Sequence, residues 1–372
     1  MTKPDKGPDT LSPRSHPASQ RPSGRMATAY DVAELAGVSQ SAVSRTFTSG
    51  ASVSESTRAK VLKAAKALKY RPNQLARTLM TNRSYIIGVA VTHIENQFYP
   101  RVLEQLSAAL RLEGYRILLF VTQGIADFDP ALDELLKYRV DALILASTSL
   151  SSGLAEECRN MGVPVIMFNN IDTASTIPSI SGDNINGART VAAFLVAGGH
   201  KRFGFIAGAA DSSTSRLREQ GFTDYLKSQD CAPPQRLYAD FRFDLAMQAM
   251  RSLLDSPERP DAVFCANDHM ALAAMQVARD EAGLKIGEEI SITGFDDSAI
   301  SAWPAFGLTT YSQPVDRMVE QTMAMLRKAL SDDKAEIAPE IVSGQLIIRS
   351  SARIPSPDKW PMDSDAISAD PA

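Results

Sequence analysis

From Ile86 onward, short apolar runs alternate with segments of helical character, and this rhythm constrains the fold more than any other feature of the chain. The runs occupy residues 86–91, 117–121, 142–146, 163–168, 203–207, 262–265 and 290–294. Strands joined through helices run parallel, because a parallel pair needs a crossover connection long enough to hold a helix. The expected class is therefore α/β, with doubly wound parallel sheets. The pattern continues to about residue 350, longer than one open sheet comfortably takes, so two similar lobes are expected. Ligands of such folds favour the cleft at the carboxyl ends of the strands.

The N-terminal part reads differently, as three short helices. Thr28-Ala29-Tyr30-Asp31 has the form of a capping box with Asp31 in place of the usual Glu, and Val32, Ala33, Leu35 and Ala36 give the first helix an apolar face. Gly37-Val38 makes a tight turn, and Ser39 caps a second helix over 40–47. Ser54 caps a third, in which Val61, Leu62, Ala65 and Leu68 fall at helical spacing; Pro72 stops it, and Asn73 can cap a further short helix through Met80. Two helices across a glycine-containing turn are the helix-turn-helix arrangement, which sets the second helix in the DNA major groove. In that helix Ala42 and Val43 can pack inward, while Gln40, Ser41, Ser44 and Arg45 reach outward. Gln pairs bidentately with adenine and Arg with guanine, and Ser or Thr can hold phosphates.

Charge supports this division. The net charge is -4, yet residues 1–83 hold 14 Lys and Arg against 5 Asp and Glu, and the remainder holds 25 against 38. A basic head on an acidic body suits a nucleic-acid arm on a soluble receptor. The alternative is a merely solvated basic helix, since Lys60, Lys63, Lys66 and Lys69 are spaced like an exposed face. Residues 1–25, rich in Pro and Ser, are expected to be disordered, and they lack the apolar region of a signal peptide. No apolar run approaches the ~18 residues a membrane span needs. Cys158, Cys231 and Cys265 have neither metal spacing nor an even count, so they read as buried thiols in a reduced cytoplasm. The four histidines (His16, His93, His200 and His269) form no motif. Gly204-Phe205-Ile206-Ala207-Gly208 falls short of a dinucleotide fingerprint, and no phosphate loop, nucleophile elbow or zinc-protease motif occurs. Asp296-Asp297 is a pair of neighbours on alternating faces rather than an opposed acid and base. No catalysis, cofactor or metal is expected.

Several segments in register carry a resemblance. Residues 30–39, from Tyr30 to Ser39, are followed by Val43-Ser44-Arg45, then by Val53-Ser54-Glu55-Ser56-Thr57-Arg58, Tyr70-Arg71-Pro72-Asn73 and Leu75-Ala76-Arg77-Thr78-Leu79. Farther on come Ile87-Gly88-Val89, Glu95-Asn96-Gln97-Phe98-Tyr99, Gly198-Gly199-His200, Arg218-Glu219-Gln220-Gly221-Phe222, Cys265-Ala266-Asn267-Asp268, Gly294-Phe295-Asp296-Asp297 and Leu308-Thr309-Thr310. This series resembles the LacI/GalR family of transcriptional regulators, and the match covers most of the chain. Gln97 stands where relatives often have proline, which leaves the geometry of that turn open.

The resemblance implies a transcriptional regulator, in the main a repressor, that binds a palindromic double-stranded operator as a homodimer under the control of a small effector. By position, Gln40, Ser41 and Arg45 fall on base contacts, and Thr28, Tyr30, Ser39, Ser44, Thr57 and Asn73 complete the DNA-facing set. Residues 73–80 fall on a hinge helix, with Leu79 beside Ala76 as the wedge that unstacks a base step in the minor groove. Phe98, Tyr99, Arg218, Phe241, Asn267 and Asp296 fall on effector contacts, with Asn169 as a further candidate. These types suit a polyol, because Asp and Arg bond adjacent hydroxyls bidentately and aromatic faces cover the ring. A sugar, sugar acid or nucleobase would fit. Core aromatics at 98, 99 and 241, a helix cap at Asp296 and a lobe-stabilising ion pair at Arg218 remain the structural alternatives.

The expected organisation is a tail (1–25), a helix-turn-helix head (28–72), a hinge (73–83), a two-lobed receptor that also dimerises (84–352) and a flexible tail (353–372). Pro355, Pro357 and Pro361 interrupt any helix in the last segment. The rivals are a solute-binding protein of the same body fold, which needs export, and a nucleotide-dependent enzyme, which needs a phosphate loop. A cytoplasmic location without membrane contact follows from the regulator reading.

Overall fold

Local capping chemistry sets the helices of the head in the computed structural model, which describes residues 26–48, 51–71, 83–122, 137–146, 158, 160–171, 177–331, 337–360 and 367–369. Thr28 Oγ1 accepts from Asp31 N at 3.4 Å while Thr28 N donates to Asp31 Oδ2 at 2.7 Å, which starts α1 (Ala29–Ala36). Gly37 ends it at φ 65, and Val38 N bonds back to Ala33 O at 3.0 Å. A glycine is needed there because a side chain pays for the left-handed conformation. Ser39 and Ser54 accept from Ala42 N and Thr57 N, both at 3.3 Å, to start α2 (Gln40–Thr46) and α3 (Glu55–Ala67). Each such cap contributes about 1 kcal/mol.

Val32, Val43 and Val61, all fully buried, form the centre of this small core. Leu35 and Leu62, expected on the apolar faces, are 56% and 47% exposed. Three short helices enclose only one narrow stripe from each, so the neighbouring leucines are left outside. Pro72 is not what stops α3. Lys69 at φ 50 ends it earlier, with Tyr70 N bonded to Ala65 O at 2.8 Å. The hinge candidates Asn73, Ala76 and Leu79 and the tail 1–25 lie outside the described residues.

The chain divides into two compact units, Met1–Met80 and Thr81–Ala372. The second contains two sheets. The first lobe is built on β1 (Ile86–Thr92), β2 (Arg116–Thr122), β3 (Ala142–Ala146), β4 (Val165–Phe168), β5 (Ser179–Gly182) and the late β11 (Glu340–Val342). Their order is β11-β5-β4-β3-β1-β2, with every pair parallel. The second lobe has β6 (Phe203–Ala207), β7 (Gln235–Tyr238), β8 (Ala262–Cys265), β9 (Ser291–Asp296), β10 (Thr309–Ser312), β12 (Leu346–Ile348) and β13 (Ile367–Ala369), ordered β13-β12-β10-β9-β8-β6-β7. Among the described residues, only β10 and β12 pair antiparallel.

Helices α4 (Phe98–Leu112) and α9 (Val315–Ala329) pack together in the first lobe; α5 (Asn184–Ala197), α6 (Ser213–Ser228), α7 (Phe243–Leu254) and α8 (Asp268–Gln276) belong to the second. The chain passes between lobes three times: from β5 to α5, from β10 to α9 and from β11 to β12.

Two details depart from the expected outline. The segment after 353 begins attached rather than free: Arg353 N donates to Ser291 Oγ at 2.8 Å, Trp360 meets Phe194 edge-on at 5.6 Å, and residues 367–369 pair with β12. Cys158 and Cys265 are buried as expected, but Cys231 is half-exposed. Ser291, His200 and Asp261 stand in a row, with Ser291 Oγ 2.8 Å from His200 Nε2. Ser291 and His200 are buried beneath the C-terminal segment, so the row braces that lobe. Burial holds the His200 pKa below the usual histidine value.

Candidate functional site

In the head, the recognition helix α2 presents Gln40, Ser41 and Arg45 to solvent with Ser44 half-buried beside them, while Ala42 and Val43 are buried against α1 and α3. Its N-terminal side carries the exposed Ser39, and Tyr30 is 66% exposed. Thr28 and Thr57 are half-buried near the starts of α1 and α3, where backbone N–H groups are also available to a phosphate. This polar face on a packed three-helix unit is what a major-groove reader requires.

In the receptor unit, a cleft between the lobes collects six of the seven predicted effector residues. Tyr99 and Asn169 come from the first lobe; Arg218, Phe241, Asn267 and Asp296 come from the second. The space among them is about 290 Å³, open mouth included. Phe98 is the exception. It packs into the first-lobe core against Phe168, because the first turn of α4 points it inward and Tyr99 toward the cleft. The sequence reading missed His93, Asn96 and Thr214, which also line the cleft. Asn96 lay within a recognised segment, and its side chain is anchored there: Oδ1 accepts from Phe98 N at 3.2 Å, with the residue facing Asp296 across the cleft. Gln97 keeps φ at -62, a value proline would also hold, so the turn survives the replacement.

Strand ends explain the convergence. His93, Asn169, Phe241 and Asp296 follow or end parallel strands, and all four have positive φ, at 52, 56, 58 and 130. Such backbone costs about 1–3 kcal/mol per residue and persists where the surroundings enforce it, often at binding sites.

Arg218 is the largest fully buried side chain among the described residues. Its Nε donates to Asn184 Oδ1 at 2.8 Å, Nη1 donates to Ala266 O and lies 3.6 Å from Asp296 Oδ1, and the guanidinium sits 3.8 Å over the Phe295 ring. The ion-pair alternative for Arg218 is thus real, and it coexists with a place in the cleft. Asp296 also accepts from Gln313 Nε2 at 2.8 Å. Three buried polar atoms of cleft-lining residues meet no protein partner: Asn169 Oδ1, Arg218 Nη2 and Asn267 Nδ2. Buried polar groups are costly unless bonded, so one acceptor and two donors here call for a ligand that both donates and accepts.

Burial dominates the electrostatics. It pushes the Asp296 carboxyl up to about 7 against the opposing pull of Arg218, and it raises the Tyr99 hydroxyl, bonded to the Asn169 amide, to about 12. An acid whose folded pKa exceeds its unfolded one stabilises the fold most below its ordinary range, and that contribution is lost as pH rises through about 7. Asp296→Asn should therefore flatten the fall in receptor stability between mildly acidic and neutral pH. Paired chemical melts of both proteins across that range check this, and parallel curves would remove the buried-acid reading.

A DNA-reading head joined in one chain to a two-lobed receptor with a polar cleft defines a regulator that couples DNA binding to a ligand. Comparisons agree. Residues 28–73 match the family model for bacterial regulatory proteins of the lacI family, and residues 192–352 match a periplasmic binding protein-like domain. The ribose operon repressor of Escherichia coli K12 is 34% identical over 305 residues, 81% of this chain and 92% of the relative. The HTH-type transcriptional repressor CytR of the same strain is 31% identical over 334 residues, 88% and 96% of the two chains. Among solved structures, the lac repressor dimer bound to operator and the anti-inducer ONPF superposes with TM-score 0.79 at 29% identity, covering 88% of this chain and 100% of that one. The regulator CelR in complex with cellobiose gives 0.66 at 27% identity, with the same coverage. The chain belongs to the LacI family and is a DNA-binding transcriptional regulator.

Proposed function

We propose that this chain is a cytoplasmic repressor that binds a palindromic operator as a homodimer and changes its affinity when a small polyol, a sugar or sugar derivative, enters the receptor cleft. The head over 28–72 reads base edges through Gln40, Ser41 and Arg45, residues 73–83 form the hinge with Asn73, Ala76 and Leu79 toward DNA, and 84–352 senses the effector and dimerises. The single observation that carries the effector reading is the set of unpartnered buried donors and acceptors around the Arg218–Asp296 pair. The names of the relatives support it: one serves a ribose operon, and one structural neighbour holds cellobiose. No helix among the described residues is long and apolar enough to cross a membrane. A thermal-shift screen against sugars, sugar acids and nucleobases tests the ligand, because a molecule that binds only the folded state raises its melting temperature. A gel shift on the DNA upstream of the chain's own gene tests the operator.

Arg45 gives the sharper test of DNA reading. Arg45→Ala is expected to weaken operator binding by about 1–3 kcal/mol per half-site and to relax preference at one base pair. Equal losses on operator and random DNA would instead make Arg45 a phosphate contact.

A further inference from the structure

The Asp296 carboxylate lies where three parts of the receptor meet. Arg218 approaches from the second lobe, Asn96 faces it from the first across the cleft, and Gln313 holds it from a crossover between the two. Gln313 is 2% exposed and sits between β10 and α9. It grips Asp296 twice, through Nε2 to the carboxylate at 2.8 Å and through its backbone N to Asp296 O at 3.2 Å. Its Oε1 lies against the first crossover: a Cβ built on Gly182 would come within 2.6 Å of it. The residue before it ties in the third crossover, where Ser312 N donates to Gln345 O at 2.7 Å and Gln345 N returns a bond to Ser312 Oγ at 3.1 Å. Asp183 N completes the circuit by donating to Val342 O at 3.0 Å, which joins the first crossover to the third.

We infer that Gln313 is a positioning residue that ties the Asp296 carboxylate in the cleft to all three crossovers, so that displacement of Asp296 is felt at the hinge between the lobes. This rests on the reading of the cleft as the effector site. The physical basis is geometric. Lobe rotation must be taken up by the few crossover residues, and Gln313 is bonded to the acid at one end and wedged against Gly182 at the other. A ligand that displaces Asp296 pulls on Gln313 through the bond between them. Gly182 is part of the device, since any side chain there would occupy the space of the Gln313 amide.

The experiment needs neither sugar nor operator, so its outcome is separate from that of the proposed function. Amide hydrogen exchange is measured on the full chain at Asp183 and Gly344, whose N–H groups bond Val342 O and Tyr311 Oη. Gln313→Leu keeps the bulk and removes the donor; it should speed exchange at both amides roughly tenfold and leave Ala266, whose N–H bonds Ile206 O, unchanged. Asp296→Ala should do the same, and adding it to Gln313→Leu should give less than about a further twofold, because both act through one link. Asp296→Asn keeps an acceptor for Gln313 and should stay near wild type at the crossovers. That variant serves even if Asp296→Ala fails to fold. Unchanged crossover exchange in Gln313→Leu, loosening spread equally to Ala266, additive effects in the double variant, or crossover loosening in Asp296→Asn would each overturn the link.

Discussion

Arg218→Met should leave a protein that still binds operator and no longer answers to effector at concentrations that saturate the wild type. Methionine fills much of the same volume, so the change removes charge and hydrogen bonds more than packing. The loss comprises the bonds to Asn184 Oδ1 and Ala266 O, the contact with the Phe295 ring and the charge facing Asp296. Removing one member of a buried pair costs about 3–5 kcal/mol, because the other charge is left without compensation. Here part of that cost is relieved, since Asp296 already titrates near 7 and will take up a proton once Arg218 no longer holds it down. The ligand loses a charge-assisted donor, Nη2, that has no protein partner, and truncating such a group costs about 2–5 kcal/mol, or 30-fold and more in affinity. The head keeps its own core of Val32, Val43 and Val61, so DNA binding without effector has no reason to fall at temperatures where the receptor stays folded. Titrating an effector found by the thermal-shift screen into the operator complex, read by fluorescence anisotropy, checks the response; chemical denaturation checks the stability. A wild-type midpoint in the variant would take Arg218 out of the effector site.

The sequence made some of this legible and hid the rest for physical reasons. The caps at Thr28, Ser39 and Ser54 were readable because one side chain and one backbone N–H decide them locally. The strands with continuous apolar runs, such as Ala142–Ala146 and Phe203–Ala207, were readable because a parallel strand covered on both faces has no polar side. Strand Ser179–Gly182 escaped. It is fully buried, yet three of its four residues are serine or glycine, so it carries no apolar run to read. Gln235–Tyr238 escaped for the opposite reason, as an edge strand with alternate residues exposed. In the site, Arg218 and Asp296 were found as charged residues in recognised segments, but their 3.6 Å approach is a tertiary fact. Phe98 and Tyr99 are adjacent aromatics at a helix start, and only the packing of α4 decides which one meets the cleft. Gln313 gave no signal at all, because its importance lies in contacts with Asp296 and Gly182 that only the fold brings together.

The close approach of α5 and α6 supports a large stability effect from a small substitution. Gly221 lies in α6, and a Cβ built on it would stand 2.2 Å from the backbone oxygen of Ile185 in α5. Alanine is ordinarily better than glycine inside a helix by about 1 kcal/mol, so propensity alone predicts a gain. The clash decides otherwise. The obstacle is a backbone carbonyl that cannot rotate aside, so the helices must separate, and overpacking of this kind costs about 1–3 kcal/mol or more. Separation also carries Asn184, at the N-terminus of α5, away from Arg218, one turn before Gly221. Stability and the cleft are therefore damaged by one methyl group. Gly221→Ala should lower the receptor melting temperature by roughly 5–10 °C, at about 2–4 °C per kcal/mol for a body of this size, and should weaken effector binding with it. Gln220→Ala, at the exposed neighbour on the same helix, should leave both unchanged. Calorimetric melts of the three proteins decide the matter: a Gly221→Ala transition at or above the wild-type temperature would mean that the two helices have room to part.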